Sequence, residues 1–545
     1  MAQWLAILFF ALTLGAQEAR EVRVQVLMTA DLHGHVLPQD SYTLQPANHG
    51  WAKLATLIRG LRTANPNTVA VDCGDATQGE PINYVWSRLN STLPEPSMAI
   101  MNSLGYSAMV VGGQELDHGL AQVRAMEDQA QFPWLAANVA FAADGRLAFT
   151  PYVKLDLGGV QVAVLGLAGV SPGGTSLGPS AGMSVSDGLI FQDPITVARA
   201  IIPQLREKEK VDMVVVALHG GAGKSSCPGG EDATAVCLAT QVPGIDLILA
   251  GRSRQQMTTE ANGVPILQAG FGGQALAQAE FVFQSRRRGR WELVSRQARI
   301  LQPSADTPPD PQVMDLTAPL RAAVETYLNT FATNLATDLD GRWARMEDTA
   351  VMNLLHTVAH QATGAQVTAL PTPGSRLFIP KGVTSVRQFY ALFPNDQRIA
   401  RIRVTGRQLR AYLENAARFY NFSHNPDLFN RSVAPEDFDT LDGCSYALDI
   451  SRPVGQRVVE LTFQDQPVKD DQEFTLGLPT SRLAGSGGYL EAMGWTGKPD
   501  FVSAEPFRNL VLDYVLSRPT LAPAPGDTWR IIPSLDRERV LAQQP

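Results

Sequence analysis

The sequence predicts an α/β layered domain followed by an α+β domain. From Val22 to about Leu301, short apolar runs alternate with amphipathic stretches, and such alternation is typical of a sheet covered by helices. A length of 545 residues is too great for one ordinary hydrophobic core. Several apolar runs end in polar or glycine-rich clusters, which is where ligand sites form in layered α/β folds.

The first domain is predicted to span 22–301. Two stretches, WAKLATLIRGLRTA and ITVARAIIPQLREKE, carry apolar residues at helical spacing. The predicted strands are VRVQVLMTA, TVAVDCG, AMVVGG, VQVAVLGLAG, VDMVVVALHG and IDLILAG.

Residues 302–336 are predicted to join the two domains. LQPSADTPPDPQ is rich in Pro and Asp and indicates a linker, and VMDLTAPLRAAVETYLNTFATNLA has helical spacing and predicts a bridging helix. The second domain is predicted over 337–520 and a tail over 521–545. Its predicted helices are TAVMNLLHTVAHQA and GRQLRAYLENAARFY, and its predicted strands are RIARIRVTG, RVVELTFQD and FTLGLP.

Charge and the N-terminus narrow the class of protein. A net charge of −8 argues against a nucleic-acid polymer as partner, because polymer binders usually carry a basic patch. The apolar stretch from Trp4 to Ala16 is too short to span a bilayer and fits a signal peptide over 1–20. We therefore expect an exported protein, periplasmic or extracellular, without a stable membrane span. A first strand or helix with an apolar face is the alternative.

The four cysteines fit more than one compartment. Cys227 and Cys237 flank a polar, glycine-rich insert, and either a disulfide or two free thiols would suit them. Cys73 and Cys444 lie in apolar runs and are predicted to be buried.

Asp and His residues follow three predicted strands. Asp31 and His33 form a D-x-H pair in DLHGH, Asp75 lies in DCGD, and His219 lies in ALHGG. Such residues at the ends of successive parallel strands are the ligands of a two-metal hydrolytic site, in which the ions activate a water molecule and clamp a phosphoryl group. Three clusters in order on one α/β pattern are strong evidence for such a site.

These phrases resemble the exported 5′-nucleotidase/2′,3′-cyclic-nucleotide phosphodiesterase family. MTADLHGH, VDCGDATQGEP and MNSLGYSAMVVGGQELDHGL are similar to its first three metal motifs, and FPNDQRIARIRVTGRQLRAYLENAARFYN is similar to its substrate domain. The resemblance runs from about Val22 to Thr520. It implies a four-layer metallophosphoesterase domain, with two sheets between helices, followed by an α+β 5′-nucleotidase-type C-terminal domain. It also implies metal-dependent hydrolysis of nucleotide phosphoesters.

The resemblance assigns roles to the retained metal ligands. Asp31, His33 and the bridging Asp75 would belong to the first metal site, and Asp75 and His219 to the second. In the third motif, G-N-H-E, an Asn ligand is replaced by Gly113. The catalytic His of that motif is replaced by Gln114.

The residues after the third motif and those of the fourth motif match the family pattern only in part. Asp117, which orients the catalytic His in the family, is retained without its partner. In the fourth motif, G-H-x-H, both histidines are replaced, by Arg252 and Arg254. Arginine remains protonated and offers no lone pair to a metal.

The resemblance also nominates residues that contact the substrate. Phe393 and Asn395 match the phrase that carries one of two rings around the base, and the second ring position is Ser481. Arg376, in TPGSR, matches a phosphate-side phrase, although an exposed arginine in a turn explains it equally well. The expected ligand is a nucleotide or another phosphate-containing small molecule.

Three interpretations of Arg252 and Arg254 remain open. They pair with the abandoned carboxylates as structural plugs, or they bind phosphate in a metal-free pseudoenzyme. Alternatively, one divalent ion (Mn²⁺, Zn²⁺ or similar) stays at Asp31, His33 and Asp75 while the arginines clamp phosphate. At most one ion is expected, with hydrolysis weak or lost. The sequence does not predict the oligomeric state.

Overall fold

The computed structural model of the chain describes residues 20–42, 44–89, 92–116, 119–169, 188–223, 234–286, 290–392 and 397–543. Of the predicted signal peptide, residues 1–19 lie outside this part. Cys227 lies outside it as well, whereas its predicted partner Cys237 is described and is disulfide-bonded. Cys73 and Cys444 are free and buried, as the apolar runs around them predict.

The first domain alternates strands and helices along the chain. The strands are β1 (Glu21–Thr29), β2 (Thr68–Asp72), β3 (Ala108–Val110), β4 (Trp134–Leu135), β5 (Val139–Phe141), β6 (Tyr152–Leu157), β7 (Val160–Leu167), β8 (Leu189–Phe191), β9 (Met213–Leu218), β10 (Leu247–Ala250), β11 (Gln256–Ala261), β12 (Val264–Ala269), β13 (Leu276–Arg286) and β14 (Arg290–Leu301). The helices are α1 (Trp51–Ala64), α2 (Pro81–Leu89), α3 (Pro96–Leu104), α4 (Gly113–Leu116), α5 (Leu120–Glu127), α6 (Pro194–Glu207), α7 (Thr234–Gln241) and α8 (Pro311–Leu328).

Two large sheets pack face to face in this domain. One has the order β14-β13-β1-β2-β3-β4 and the other β11-β12-β10-β9-β7-β6. Side chains alternate between the two faces of a strand, so Val24, Val26 and Met28 of β1 enter the core between the sheets. Leu27 points to the opposite face, where it joins a core that includes Trp51 of α1.

Helices cover both outer faces of this sandwich. The outer core of the first sheet includes residues of α1, α3 and α8, and the outer core of the second includes residues of α6 and α7. The layers are therefore helix, sheet, sheet and helix, which confirms the predicted four-layer domain with two sheets between helices.

The second domain is α+β, as predicted. Its helices are α9 (Ala350–Thr363), α10 (Val386–Tyr390), α11 (Gly406–Ala417), α12 (Thr480–Leu483), α13 (Tyr489–Met493), α14 (Phe507–Leu516) and α15 (Arg537–Gln543). Its strands are β15 (Phe331–Leu335), β16 (Leu339–Asp340), β17 (Val367–Pro371), β18 (Phe378–Ile379), β19 (Gly382–Ser385), β20 (Ile399–Thr405), β21 (Asp439–Asp442), β22 (Ser445–Asp449), β23 (Val458–Phe463), β24 (Gln466–Pro467), β25 (Glu473–Pro479), β26 (Phe501–Val502), β27 (Thr520–Leu521) and β28 (Trp529–Ile532). The largest sheet has the order β21-β17-β25-β20-β26.

Two segments differ from the sequence-based expectation. The helical spacing predicts a bridging helix through residue 336, but α8 ends at Leu328, and β15 follows and pairs with β27. Pairing with a distant strand overrides the local helical spacing there. The predicted tail also contributes to the fold, because β28 pairs with β22 and Trp529 is buried in the core.

Within the described residues, the helices are each too short or too polar to cross a membrane.

Candidate functional site

Strand ends from both sheets converge on one region of the first domain. β1, β2 and β3 run parallel in one sheet, and β9 and β10 run parallel in the other. Parallel strands present their carboxyl ends at the same edge, so the residues that follow them meet. Asp31, His33 and Asp75 lie with one ligand atom of each within 4.8 Å of the others. Together with His219, we call them the candidate centre.

The backbone at this edge is unusual. The φ angles of Asp31, His33 and Asp75 are 51°, 49° and 58°, and those of Arg252 and Arg254 are 67° and 55°. Positive φ is uncommon for residues other than glycine and clusters at functional sites, because the surrounding structure must impose it. The loops after β1, β2 and β10 therefore hold these five side chains in fixed positions at some cost in backbone energy.

His33 is neutral and its tautomer is defined by its neighbours. Its Nδ1 lies 3.1 Å from the carbonyl oxygen of Gln78 and 2.8 Å from Oε1 of Gln114. Both are acceptors, so Nδ1 carries the proton. Nε2 then offers its lone pair outward, as in a metal-binding histidine. Burial and the nearby Arg254 lower the pKa of His33 to about 4.

Arg254 approaches that lone pair. Its Nη2 lies 3.2 Å from Nε2 of His33, and its guanidinium lies 5.6 Å from the centroid of the Phe271 ring. A cation bound to His33 through Nε2 would compete with this guanidinium for the same lone pair. Much of Arg254 is exposed, so the guanidinium can also meet an anion from solvent.

Asp31 is buried and receives a backbone hydrogen bond. The N–H of Arg252 donates to its Oδ2 over 2.7 Å, and Nε2 of His33 lies 3.9 Å from its Oδ1. Burial raises the pKa of Asp31 to about 7, against the lowering effects of His219 and Arg254. Asp31 therefore titrates near neutral pH.

Asp75 and His219 form a buried ion pair. Nδ1 of His219 donates to the carbonyl oxygen of Cys73 over 2.8 Å, and its Nε2 lies 3.5 Å from Oδ2 of Asp75. Burial raises the pKa of Asp75, but the lowering effects of His219 and His33 are larger in sum, so the pKa of Asp75 lies below its usual value. Burial lowers the pKa of His219, but the raising effects of Asp75 and Asp31 are larger in sum, so the pKa of His219 lies above its usual value.

Gly113 and Gln114 begin the short helix α4. The backbone N–H of Gln114 donates to Oδ1 of Asp75 over 2.9 Å, and its side-chain oxygen accepts from His33. An amide does not titrate, so Gln114 orients His33 and cannot move a proton. Gly113 has no side chain with which to bind an ion.

Glu115 is a residue that sequence reasoning did not single out. Its buried carboxylate accepts the backbone N–H groups of Gly112, Asp75 and Ala76 at 2.9, 3.0 and 2.8 Å. It therefore ties the loop after β2 to the loop after β3. The signal in the sequence is an acidic residue two positions after the glycine pair Gly112–Gly113, which itself lies close to the end of a buried strand.

Arg254 meets the candidate centre in a way that differs from the plug interpretation. That interpretation expects the guanidinium groups of Arg252 and Arg254 to pair with Asp31 and Asp75. The guanidinium of Arg254 contacts His33 instead, whereas the backbone N–H of Arg252 donates to Asp31. Both arginines still act on the carboxylates at longer range, since Arg254 lowers the pKa of Asp31 and Arg252 lowers that of Asp75.

Within the described residues, the donor set fits one divalent ion. Asp31, His33 and Asp75 supply two carboxylates and a neutral imidazole, which suit Mn²⁺ or Zn²⁺. An ion there would require Arg254 to leave Nε2 of His33. Of the described residues, only Asp75 and His219 match the second metal position that the resemblance implies, and two ligands are too few for a stable site of this kind.

Other predicted site residues are placed differently. Asp117, Phe393 and Asn395 lie outside the described residues. Arg376 is exposed in the turn between β17 and β18, and none of the described contacts joins it to the candidate centre. Ser481, at the second ring position, donates a hydrogen bond to Oε1 of Gln397 over 2.7 Å.

Sequence comparisons give the following similarities. Residues 327–493 match the model of the 5′-nucleotidase C-terminal domain. The chain is 24% identical to the trifunctional nucleotide phosphoesterase protein YfkN of Bacillus subtilis over 94% of its length, but spans only 39% of that protein. It is 25% identical to the 2′,3′-cyclic-nucleotide 2′-phosphodiesterase/3′-nucleotidase of Yersinia enterocolitica, covering 96% of this chain and 90% of that protein.

Structural comparisons agree on the fold. A putative 5′-nucleotidase from Staphylococcus aureus matches 93% of this chain and 99% of its own, with a TM-score of 0.75 and 20% identity. The calcineurin-like phosphoesterase YfkN from Bacillus subtilis matches 56% of this chain and 99% of its own, with a TM-score of 0.50 and 24% identity. At these identities the matches show a shared architecture of a phosphoesterase domain and a C-terminal domain.

Proposed function

We propose that this chain, which belongs to the 5′-nucleotidase/2′,3′-cyclic-nucleotide phosphodiesterase family, binds a phosphate-containing small molecule of the nucleotide class and hydrolyses it weakly or not at all. The observation that carries the proposal is the contact between Arg254 and Nε2 of His33, 3.2 Å apart. A cation of the protein itself occupies the lone pair that an ion would use.

Charge balance supports binding of phosphate at this place. Loss of two divalent ions removes four positive charges from the candidate centre, and Arg252 and Arg254 return two. Guanidinium groups bind phosphate oxygens through paired N–H donors. The exposed part of Arg254 provides positive charge toward which a phosphate group can be drawn.

The same residues argue against efficient hydrolysis. When bound, a divalent ion supplies a nucleophilic hydroxide at neutral pH and neutralises charge on the phosphoryl group. The donors for a second ion are missing at Gly113, Arg252 and Arg254. Gln114 cannot protonate a leaving group, and the loss of a general acid typically costs about 10²–10⁴ in rate.

Weak hydrolysis with one ion is the second candidate function. The observation that favours it is the close grouping of Asp31, His33 and Asp75, within 4.8 Å. These residues would hold the ion, and Arg254 would turn from His33 toward the phosphate. The two candidates differ in whether the purified protein contains metal.

Metal content and turnover test the proposal together. Protein purified without chelator is expected to contain at most one ion per chain, and turnover of bis(p-nitrophenyl) phosphate is expected to be at least about hundredfold below that of a two-metal relative. One stoichiometric ion, with turnover abolished by Asp31→Ala, would establish the second candidate function. Two ions per chain with full turnover would overturn both.

The cysteine chemistry favours a location outside the cytoplasm. Cys237 is disulfide-bonded, and disulfides persist in oxidising spaces outside the cytoplasm. The apolar stretch Trp4–Ala16 supports the same proposal, with processing near residue 16. Mass spectrometry of protein recovered from a periplasmic fraction tests it, because an intact N-terminus in the cytoplasmic fraction would contradict export.

A further inference from the structure

We infer that Arg508, in the second domain, is a positioning residue for the candidate centre in the first domain. The inference rests on the proposed function only where a bound ligand is measured. Arg508 lies in the first turn of α14 and is only 1% exposed. A guanidinium buried this completely is costly unless the fold compensates it with hydrogen bonds and ring contacts, so its contacts are informative.

The contacts of Arg508 reach across the domain boundary. Its guanidinium lies 4.2 Å from the centroid of the Tyr390 ring of its own domain, which fixes its plane. Its Nη1 donates to the carbonyl oxygen of Gly79 over 3.0 Å. Gly79 belongs to the loop that follows β2, four residues after Asp75.

This loop and the loop after β1 are held together by backbone hydrogen bonds. The N–H of His33 donates to Asp75, that of Gly34 donates to Ala76, and that of Glu80 donates back to His33, at 3.0, 3.0 and 2.9 Å. Two ligand residues of the candidate centre are therefore part of one short ladder. Arg508 binds the carbonyl of Gly79 at the outer end of that ladder.

A second arginine of the same domain supports the neighbouring turn. Nη1 of Arg387, in α10, donates to the carbonyl oxygen of Ser41 over 2.8 Å. The hydroxyl of Ser41 donates to Glu80, and Oε1 of Glu80 lies 3.1 Å from Nε2 of His35. The second domain thus contacts the two loops that carry Asp31, His33 and Asp75 along two separate routes.

The domain interface is built to hold Arg508 in place. Arg88 of α2 binds both carboxylate oxygens of Glu505, three residues before Arg508, at 2.7 and 2.6 Å. Tyr42 stacks on Tyr390 with ring centroids 6.0 Å apart. Because these contacts flank Arg508, its donor is aimed at Gly79 in the resting structure, and the geometry of the candidate centre depends on docking of the second domain.

Hydrogen exchange in the full-length protein tests the inference. The reporters are the amides of Gly34 and Glu80, which belong to the ladder. Arg508→Gln is expected to speed their exchange about tenfold, because the loop loses the hydrogen bond at its end. The matched control is Arg518→Gln: Arg518 also stacks on a tyrosine, at 3.6 Å, and donates to a backbone oxygen, at 2.8 Å, but both belong to Tyr514 of its own domain.

The control is expected to leave exchange at Gly34 and Glu80 unchanged. Unchanged exchange in a folded Arg508→Gln protein would overturn the inference. If that variant does not fold, Arg508→Lys replaces it, with exchange about threefold faster because one donor remains and the stacked plane is lost; exchange equal to that of the parent protein would again overturn it.

Ligand affinity distinguishes a positioning residue from a purely structural one, because substitution of a purely structural residue would leave the affinity unchanged. With Mn²⁺ alone as probe, folded Arg508→Gln protein is expected to bind at least about threefold more weakly than the parent protein, while Arg518→Gln protein does not. Equal affinities of the parent and Arg508→Gln proteins would count against positioning. If the parent protein binds neither Mn²⁺ nor inorganic phosphate, the proposed function fails, and the exchange rates alone decide on Arg508.

Discussion

Nη2 of Arg254 lies 3.2 Å from Nε2 of His33, the nitrogen whose lone pair faces away from Gln78 and Gln114. The protein therefore presents a histidine prepared as a metal ligand and places a guanidinium against it. A bound cation and this guanidinium position are mutually exclusive. An anion that draws Arg254 away would relieve the competition, whereas a metal has to displace it.

Removal of Arg254 is expected to strengthen metal binding. Arg254→Ala frees Nε2 of His33 and removes a like charge from the site, so the Kd for Mn²⁺ should fall at least about tenfold. Isothermal titration measures it. Arg296→Ala is the control, since Arg296 is an arginine of the same domain paired with Glu260 at 3.0 Å. Equal affinity in Arg254→Ala and the parent protein would show that the guanidinium does not obstruct an ion.

Restoring the family's ligands is expected to restore a second ion. The variant combines Gly113→Asn, Gln114→His, Arg252→His and Arg254→His. The backbone at 252 and 254 has φ of 67° and 55°, a region in which His is enriched among non-glycine residues. Metal analysis should rise to two ions per chain, with turnover of bis(p-nitrophenyl) phosphate. A variant that folds but still holds at most one ion would show that the scaffold no longer accepts the chemistry.

The residues of the candidate centre could be predicted because topology determines them. Asp31, Asp75 and His219 each follow an apolar run, and parallel strands end at a common edge. The partner of Arg254 could not be predicted in the same way. Pairing with Asp31 and Asp75 is one of three interpretations that the sequence leaves open, and the position of the guanidinium depends on the conformation of the loop after β10, which has a positive φ at Arg254.

Glu115 is expected to be essential for the loops of the candidate centre. Its Oε2 accepts from Gly112 and Asp75, and its Oε1 accepts from Ala76. In Glu115→Gln, either amide orientation places an NH₂ group against an N–H donor, so the free energy of unfolding should fall by about 2–4 kcal/mol. Urea unfolding measures this. Glu292→Gln, at a solvent-exposed pair with Arg286, is the control, and a loss for Glu115→Gln no larger than for the control would contradict the role.

His356 is expected to make stability fall in acid. It is buried between the hydroxyls of Thr368 and Thr440, at 2.7 and 3.1 Å, and burial lowers its pKa to about 4. Between pH 6.5 and 4, His356 is protonated in the unfolded chain but stays neutral in the folded chain. Its contribution to the free energy of unfolding is therefore complete above pH 6.5 and is lost as the pH falls toward 4. Its upper limit is about 3 kcal/mol.

The variant His356→Gln isolates this effect, because glutamine can hydrogen bond to both threonines and does not titrate. Unfolding by urea at pH 7 and pH 4.5 should show a smaller acid-induced loss in the variant than in the parent protein. His424→Gln, at an exposed position, is the control. An identical loss in His356→Gln and the parent protein would contradict a buried neutral His356.

Local sequence patterns do not predict contacts between residues that are distant in sequence, and the second domain provides two examples. The helical spacing of residues 313–336 correctly predicts α8 but extends too far, because Phe331–Leu335 pairs with strands about 50 and 190 residues away in sequence. The role of Arg508 cannot be predicted from the sequence for the same reason. Gly79, whose carbonyl oxygen accepts its hydrogen bond, is more than four hundred residues away in sequence, and neither local sequence pattern indicates the contact.

Calorimetric titration of AMP into the protein in the presence of EDTA tests the central claim most directly. If the arginines bind phosphate without metal, the parent protein binds AMP with the chelator present, and the double variant Arg252→Ala/Arg254→Ala loses at least about tenfold in affinity. Binding that appears only when Mn²⁺ is added, and that survives the double substitution, would contradict the account.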